Sequence, residues 1–458
     1  MKDMLKEIVA RAKADYAEIR VEDSLLTQIS YKGRALENIS ESADFGGCVR
    51  VLVRGGWGFV SFNRLDELEK KIAQAIEQAT LISHHVNRAT KLAPVKVVED
   101  AVSLAPKRDP RKISLKEKKQ ILEGYNDIIL SYDPLIGTSS ISYFDKYSRL
   151  RFANSEGTYI EQEKLDLGGA VMAIASRGGE TQMGHFPFGS SDDFGVLVGK
   201  DEEVRKACEI AVGLLEAKSV KGGEYTVIVD PVLAGVFAHE AFGHLSEGDN
   251  VYEDKNLQKL MQLGETYGSS ILNIYDTGIE AGYRGYLKYD DEGVPTEKTY
   301  LIKNGKLVSR LHSRETAGVM GEKPTGNARA MSYRHAPICR MRNTCIQGGK
   351  ATFEDMLKGI KLGVYAKDSY GGQTSHEMFT FSAGEAHMIR DGKIAELVKD
   401  VTLSGNVFHT LKNIDMIGND FAMEDSGGGC GKGGQTPLPV SHGSPHIRIS
   451  KVIVGGRK

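Results

Sequence analysis

Two histidines five residues apart, in His239-Glu240-Ala241-Phe242-Gly243-His244, place the tightest constraint on how this chain can fold. An α-helix turns about 100° per residue, so side chains five apart diverge by about 140° and cannot share one small ion on a straight helix. A one-turn π-bulge would return positions 239 and 244 toward one face, and Gly243 lowers the steric cost of that distortion. The surrounding stretch is framed as a helix. A β-like run, Tyr225 to Val229, leads to Asp230, suited to an N-cap, and to Pro231, suited to the first helical position. Val232, Val236 and Phe237 predict the buried face, and Gly248 predicts the exit from the helix.

With the bulge, the chemistry is that of a hydrolytic metal centre: two imidazoles hold a zinc ion, and Glu240 acts as general base toward water. Without it, Glu240, His244 and Glu247 fall at i, i+4 and i+7, which makes a solvated face or a carboxylate-rich metal site of another kind. Two imidazoles leave zinc under-coordinated, so a third ligand is needed. His376-Glu377 starts like a second such motif, but Thr380 and Phe381 stand where its second histidine would be. His409 falls in a predicted helix, and His442 and His446 flank Gly443 and Pro445 in a turn; these read as hydrogen-bonding histidines. Cys430 differs in setting. It lies in the glycine-rich stretch Asp425 to Gln435, whose glycines permit close backbone approach, and a thiolate there is the candidate third ligand. The same stretch is not a phosphate-binding P-loop, because Ser426 replaces the first glycine and Gly433 the Ser or Thr after Lys432.

A chain of 458 residues predicts two or three domains. With 40% hydrophobic and 26% charged residues it reads as a globular protein, and a net charge of −2 provides no global field for nucleic acid. No helix-turn-helix, zinc knuckle or basic stripe is present in the sequence, so neither DNA nor RNA is an expected partner. No run approaches 18 apolar residues, and the amphipathic start MKDMLKEIVARAKADY does not resemble a signal peptide, so a cytoplasmic location without membrane contact is expected. Five widely spaced cysteines, Cys48, Cys208, Cys339, Cys345 and Cys430, argue against a disulfide framework.

Periodicity predicts an α+β fold. Residues 1–91 form a first α+β unit: a helix over 2–14, strands over 17–21, 27–31, 47–54 and 57–62 with a hairpin at Gly55-Gly56, and a helix over 65–82. Residues 92–113, with Pro94, Pro106 and Pro110, read as a linker. Residues 114–221 form a second unit, with helices over 115–129 and 202–215 and strands over 139–143, 150–153 and 168–176. Residues 222–458 form a large, mainly antiparallel β-rich domain carrying the metal-motif helix. Its strands are expected over 284–288, 299–301, 306–311, 338–346, 363–366, 377–389, 393–398 and 446–454, with turns at Asn304-Gly305 and Asp391-Gly392. They imply a large sheet or barrel into which the helix packs. Segment 338–346 is the expected edge for an extended peptide.

Together these residues resemble the TldD/PmbA family of metalloproteases, also known as modulators of DNA gyrase. The likeness spans nearly the whole chain: GGCVRVLVRGGWGFVSFN, HEAFGH, PTGNARA, RMRNTCI, TLSGN and SGGGCGKGGQ. Within the family, TldD-type subunits carry HExxxH and a distant cysteine as zinc ligands, whereas PmbA-type (TldE) subunits lack them and are non-catalytic partners. The resemblance implies His239, His244 and Cys430 as zinc ligands and Glu240 as catalytic base. It also implies a dimer, either with a PmbA/TldE-like subunit or of two identical chains, enclosing a narrow cavity that admits unfolded peptides. The rival reading is a non-catalytic assembly subunit with a structural metal or none. In one place the chain departs from the family. Where an acidic GxVDxxTGDF-like stretch is favoured, it has Gly372-Gln373-Thr374-Ser375-His376-Glu377-Met378-Phe379.

Overall fold

The computed structural model describes residues 1–86, 90–375, 377–425 and 427–455. Its N-terminal half is built on one seven-stranded sheet. The elements are α1 (Lys2–Ala10), β1 (Tyr16–Lys32), β2 (Ala35–Val53), β3 (Gly56–Phe62), α2 (Leu68–Ser83), β4 (Glu99–Val102), α3 (Leu115–Tyr132), β5 (Ile136–Asn154), β6 (Tyr159–Arg177), β7 (Glu180–Ser190) and α4 (Asp201–Glu216). The strand order is β3-β2-β1-β5-β6-β4, with β7 also paired to β6. The first two expected units therefore share a sheet, joined where β1 runs antiparallel to β5. The stretch expected as a linker contributes β4, parallel to β6.

One face of this sheet is covered by helices whose apolar residues recur at helical spacing, Leu68, Ile72, Ala75 and Ala79 on α2 and Leu122, Tyr125 and Ile129 on α3. The other face is polar and meets the C-terminal half through ion pairs, including Arg50 with Glu292 at 2.7 Å and Arg314 with Glu156 at 2.8 Å. Ala17, Ile19 and Val21 alternate with Glu18, Arg20 and Glu22, and both sets are buried because β1 is covered on both faces here. The hairpin between β2 and β3 turns at Arg54-Gly55, both at positive φ (47° and 85°), one residue earlier than Gly55-Gly56.

In the C-terminal half, β8 (Lys218–Ser219) and β9 (Gly223–Val229) lead into α5 (Pro231–Ala238). Five strands close on themselves in the order Leu362–Ser375, β9, Ile447–Gly455, Thr402–Asn406 and Met378–Arg390, the last pairing back to the first, so a small barrel forms with further strands along its margin. A second, six-stranded sheet runs Lys306–Leu307, Lys298–Lys303, Ile274–Thr277, Asn343–Ile346, Ser441–Ser444 and Ala422–Glu424. Helix α5 lies between the two, against Leu362–Ser375 on one side and against Ser441–Ser444 and Asn343–Ile346 on the other. The turns at Asn304-Gly305 and Asp391-Gly392 are present, with positive φ at all four residues. Among the described residues no helix is long and apolar enough to cross a membrane.

Several expected strands are corrected. Residues 284–288 form turns rather than a strand, and 306–311 is reduced to Lys306–Leu307. Segment 338–346 splits into Ile338–Cys339, paired to Ala328–Arg329, and Asn343–Ile346, in the interior of the six-stranded sheet. The latter has both edges occupied and is buried throughout, so it offers no edge to a peptide.

Candidate metal centre

Asp230 accepts a hydrogen bond from the Leu233 amide at 2.9 Å and Pro231 occupies the first turn, so α5 begins as its sequence dictates. The buried face is Leu233, Ala234, Phe237 and Ala238, while Val232 and Val236 are half-buried. Glu240 continues that second strip at four-residue spacing, which leaves its carboxylate on the open side. At His239 the helix widens into a π turn, His239–Gly243, and then tightens to a 3₁₀ turn, His244–Ser246. Gly243 has an ordinary helical φ of −57°, so its role is space rather than conformational freedom. A Cβ there would lie 1.9 Å from the Met341 sulfur. The helical run ends at Ser246, near Gly248 as expected, with Glu247 extended; Gly248 itself opens a further short helix, Gly248–Glu253, where a Cβ would meet the His312 ring at 2.5 Å.

The π turn brings the two imidazoles to 5.2 Å between ring centres, nearly perpendicular. Cys430, at the start of the strand Cys430–Lys432, places its sulfur 3.4 Å from His244 Nε2. One ligand atom from each of His239, His244 and Cys430 lies within 4.8 Å of the others. Two such donors on a tetrahedral zinc, at about 2.0 to 2.3 Å each, would stand about 3.5 Å apart. The His244 and Cys430 spacing already meets that value, and His239 would close a gap of about one ångström. Glu240 Oε2 is 3.8 Å from His244 Nε2.

Each imidazole is oriented by a different partner. His244 Nδ1 faces Glu247 Oε2 at 3.0 Å, leaving Nε2 for the sulfur side. Glu247 is wholly buried and also pairs with Lys432 at 3.0 Å, and Lys432 in turn holds Asp249 at 2.6 Å. His239 Nδ1 stands 3.5 Å from Thr344 Oγ1, whose hydroxyl donates to Asp276 at 3.2 Å. Such outer partners set the tautomer and aim of a ligating histidine. The charges follow. Burial disfavours a charged His244, but Glu247 and Cys430 outweigh it and hold the imidazole well above its ordinary value. Burial, assisted by His244, pushes His239 down to about 4. Burial pushes the Cys430 thiol up, yet His244 and Arg340 reverse this and the net shift is downward, toward thiolate. Two nitrogens and a thiolate form a donor set suited to zinc.

The centre opens onto a cleft of about 1050 Å³, lined by Glu240, His244, Lys432 and, from the long barrel strand, Gly372, Gln373 and Thr374. That strand pairs with Met378–Arg390 on one edge, and its pairing with β9 ends at Ala366. Among the described residues no strand pairs with the other edge of Gly372–Thr374, and the buried Thr374 hydroxyl has no partner.

Of the rejected candidates, His446 bonds Tyr365 at 2.9 Å and Asp420 at 2.6 Å, as expected of a structural histidine. His409 is exposed on the helix Val407–Lys412. His442 lies on a strand rather than in a turn and packs at right angles on His239, 4.9 Å between centres. His376 and Ser426 lie outside the described residues. Sequence reading missed Asp276, Thr344 and Arg340; Arg340 donates to the carbonyl of Cys430 at 2.6 Å and so anchors its loop. Their signal was present only as polar residues inside strand-like runs.

Comparison with known proteins bears on the family and the fold. Three family models match in order: PmbA/TldA metallopeptidase domain 1 at residues 17–79, the central domain at 108–215 and the C-terminal domain at 222–456. A metalloprotease of Synechocystis is 47% identical, with 100% of this chain and 98% of the relative covered. A zinc metalloprotease TldD homolog of Saccharolobus solfataricus is 32% identical, with 97% of each covered. The crystal structure of TldE from Thermococcus kodakarensis shares the fold with a TM-score of 0.78, at 20% identity and 97% coverage of each chain.

Proposed function

The chain belongs to the PmbA/TldD family of metallopeptidases, and from that premise we propose that it is a zinc-dependent peptidase with His239, His244 and Cys430 as metal ligands and Glu240 as general base. The observation that carries this reading is the clustering of one imidazole pair and one thiolate within 4.8 Å, beside a carboxylate that faces a cleft. His239, His244 and Cys430 would hold the ion, which would supply Lewis acidity toward a carbonyl and lower the pKa of water. Glu240 receives the proton from the attacking water at its carboxylate and returns it to the leaving amine. Glu247 keeps His244 Nε2 aimed at the centre, and Thr344 does the same for His239.

The peptide lies extended along Gly372–Thr374, whose backbone has, among the described residues, an unpaired edge beside Glu240 and His244 and which therefore suits strand addition. Such binding uses main-chain hydrogen bonds, needs an unfolded substrate and discriminates little among side chains. The working assembly is a dimer, with a PmbA/TldE-like subunit or with a second copy, enclosing the cleft in a cavity in the cytoplasm; nucleic acid and membrane have no part. A non-catalytic subunit with a structural metal is disfavoured by the donor set, since a structural zinc is closed by four protein ligands. The test is Glu240→Gln. It retains one zinc per chain and the fold, and loses hydrolysis of an unstructured peptide by about 10²- to 10⁴-fold. Full activity with zinc retained refutes the assignment.

A further inference from the structure

A second cavity, of about 290 Å³, lies between the polar face of the N-terminal sheet and the C-terminal half, and shares no lining residue with the cleft at the metal centre. Its charged lining is unbalanced. Five cations, Arg20, Lys146, Lys164, Arg284 and Arg329, face three carboxylates, Glu22, Asp166 and Asp291. Each carboxylate is committed to one cation: Glu22 to Lys146 at 2.8 Å, Asp166 to Arg284 at 2.6 Å, and Asp291 to Arg20 at 3.3 Å.

Lys164 and Arg329 are left over. Among the described residues no carboxylate comes within ion-pair distance of either, and Arg329 donates only to the carbonyls of Met341 and Pro439. Arg329 is 4% exposed. A buried cation without a counter-charge is costly unless an anion joins it. Burial, then the neighbouring Arg329, brings Lys164 down to about 8, against the opposing pull of Asp166 and Asp291. The rest of the wall is mainly apolar, from Leu26, Phe144, Leu150, Leu287 and Pro439, with Gln28, Ser148 and Ser332 as its uncharged polar members. A volume near the low end of small-molecule pockets, with an apolar wall and two convergent cations, is the usual form of a ligand site.

We propose that this cavity binds a small organic carboxylate with an apolar body, its carboxylate between Lys164 and Arg329 and its apolar part against Phe144 and Leu150. The same chemistry is offered by a free acid and by the C-terminus of a peptide ending in an apolar residue.

Calorimetric titration of the full chain tests this with phenylacetate, phenylacetamide and inorganic phosphate. In the Glu240→Gln background, to prevent turnover, it also uses N-acetyl-Gly-Phe with a free or an amidated carboxyl. Saturable binding of phenylacetate is expected, at least tenfold tighter than that of the amide. If N-acetyl-Gly-Phe binds more tightly than phenylacetate the natural ligand is a peptide terminus, and if less tightly a free acid; both preserve the proposal. Lys164→Met removes the carboxylate affinity without changing zinc content, and without ligand it unfolds no more readily than the parent, because a half-buried charge without a counter-ion is gone. Lys164→Arg retains binding. Equal binding of acid and amide, undiminished binding by Lys164→Met, no saturation at millimolar phenylacetate, or phosphate binding as tightly as phenylacetate overturns the proposal.

Discussion

His239 and His244 sit on one turn of one helix, yet they occupy opposite environments. His244 belongs to a charged chain, Glu247 to Lys432 to Asp249, that favours the imidazolium. His239 belongs to a neutral chain, through the Thr344 hydroxyl to Asp276, in a site where burial keeps the ring uncharged. The difference teaches how one ion could be held firmly by a site that is not itself symmetric. The neutral side is ready to ligate without losing a proton, while the charged side surrenders a proton to the solvent and gains orientation in exchange. Cys430, close to His244, joins the charged side as its thiolate partner.

The strongest way to break this comparison is to remove the anion that the charged side is built around. Cys430→Ser substitutes a harder and weaker donor. Zinc affinity is expected to fall by more than the roughly 10- to 100-fold typical of outer partners, and peptide hydrolysis with it, while the circular-dichroism spectrum is retained. Normal zinc content in the serine variant would show that the sulfur is only a buried thiol.

The pH dependence of the metal-free protein separates the two histidines next. His239 has a folded pKa below its unfolded value, so the unfolded chain binds more protons between about pH 4 and 6.5 and stability rises with pH across that window. His244 has a raised folded pKa, so its contribution is complete below 6.5 and is lost as pH rises through the folded value. The His239 component is at most about 3 kcal/mol. Thermal unfolding of metal-free His239→Gln should lack the rise in the acid window, and His244→Gln should lack the loss above it. If both variants changed the same window, the two environments would not be distinct.

Glu247→Gln is the third test, with zinc affinity reduced by about 10- to 100-fold as the charge that orients His244 is removed. Equilibrium competition with a chelator measures it. Thr344→Val is the smallest, because a neutral contact of 3.5 Å is removed from a ring that packing already holds, and a loss of less than about tenfold is expected. A larger effect for Thr344→Val than for Glu247→Gln would invert the comparison.

The sequence was most legible where a local rule acts alone. The helix start at Asp230-Pro231 and the turns at Asn304-Gly305 and Asp391-Gly392 are specified within four residues, and they stand as read. The π turn was legible too, because five-residue spacing is incompatible with an undistorted helix if both histidines serve one ion. Reading failed where burial came from distant elements. β1 was divided because its middle carries Glu22-Asp23-Ser24, and the partners of Glu22 and Asp23, Lys146 and Arg151, come from another strand. Segment 338–346 was expected as a peptide edge, whereas its Arg340 and Arg342 are buried to bind carbonyls and Asn343–Ile346 is paired on both sides.

The sequence by itself thus determined the α+β class, the helix that carries the motif, its distortion and the residue types available for chemistry. These follow from spacing, caps and turns, which are short-range and nearly independent of the rest of the chain. Only the tertiary structure decided which of the distant residues converge: Cys430 on His244, Thr344 and Asp276 on His239, Lys164 on Arg329. Convergence depends on closing loops of up to about two hundred residues, and its direction is set by sheet order, by which face is covered, and by the charge that each buried group finds opposite it.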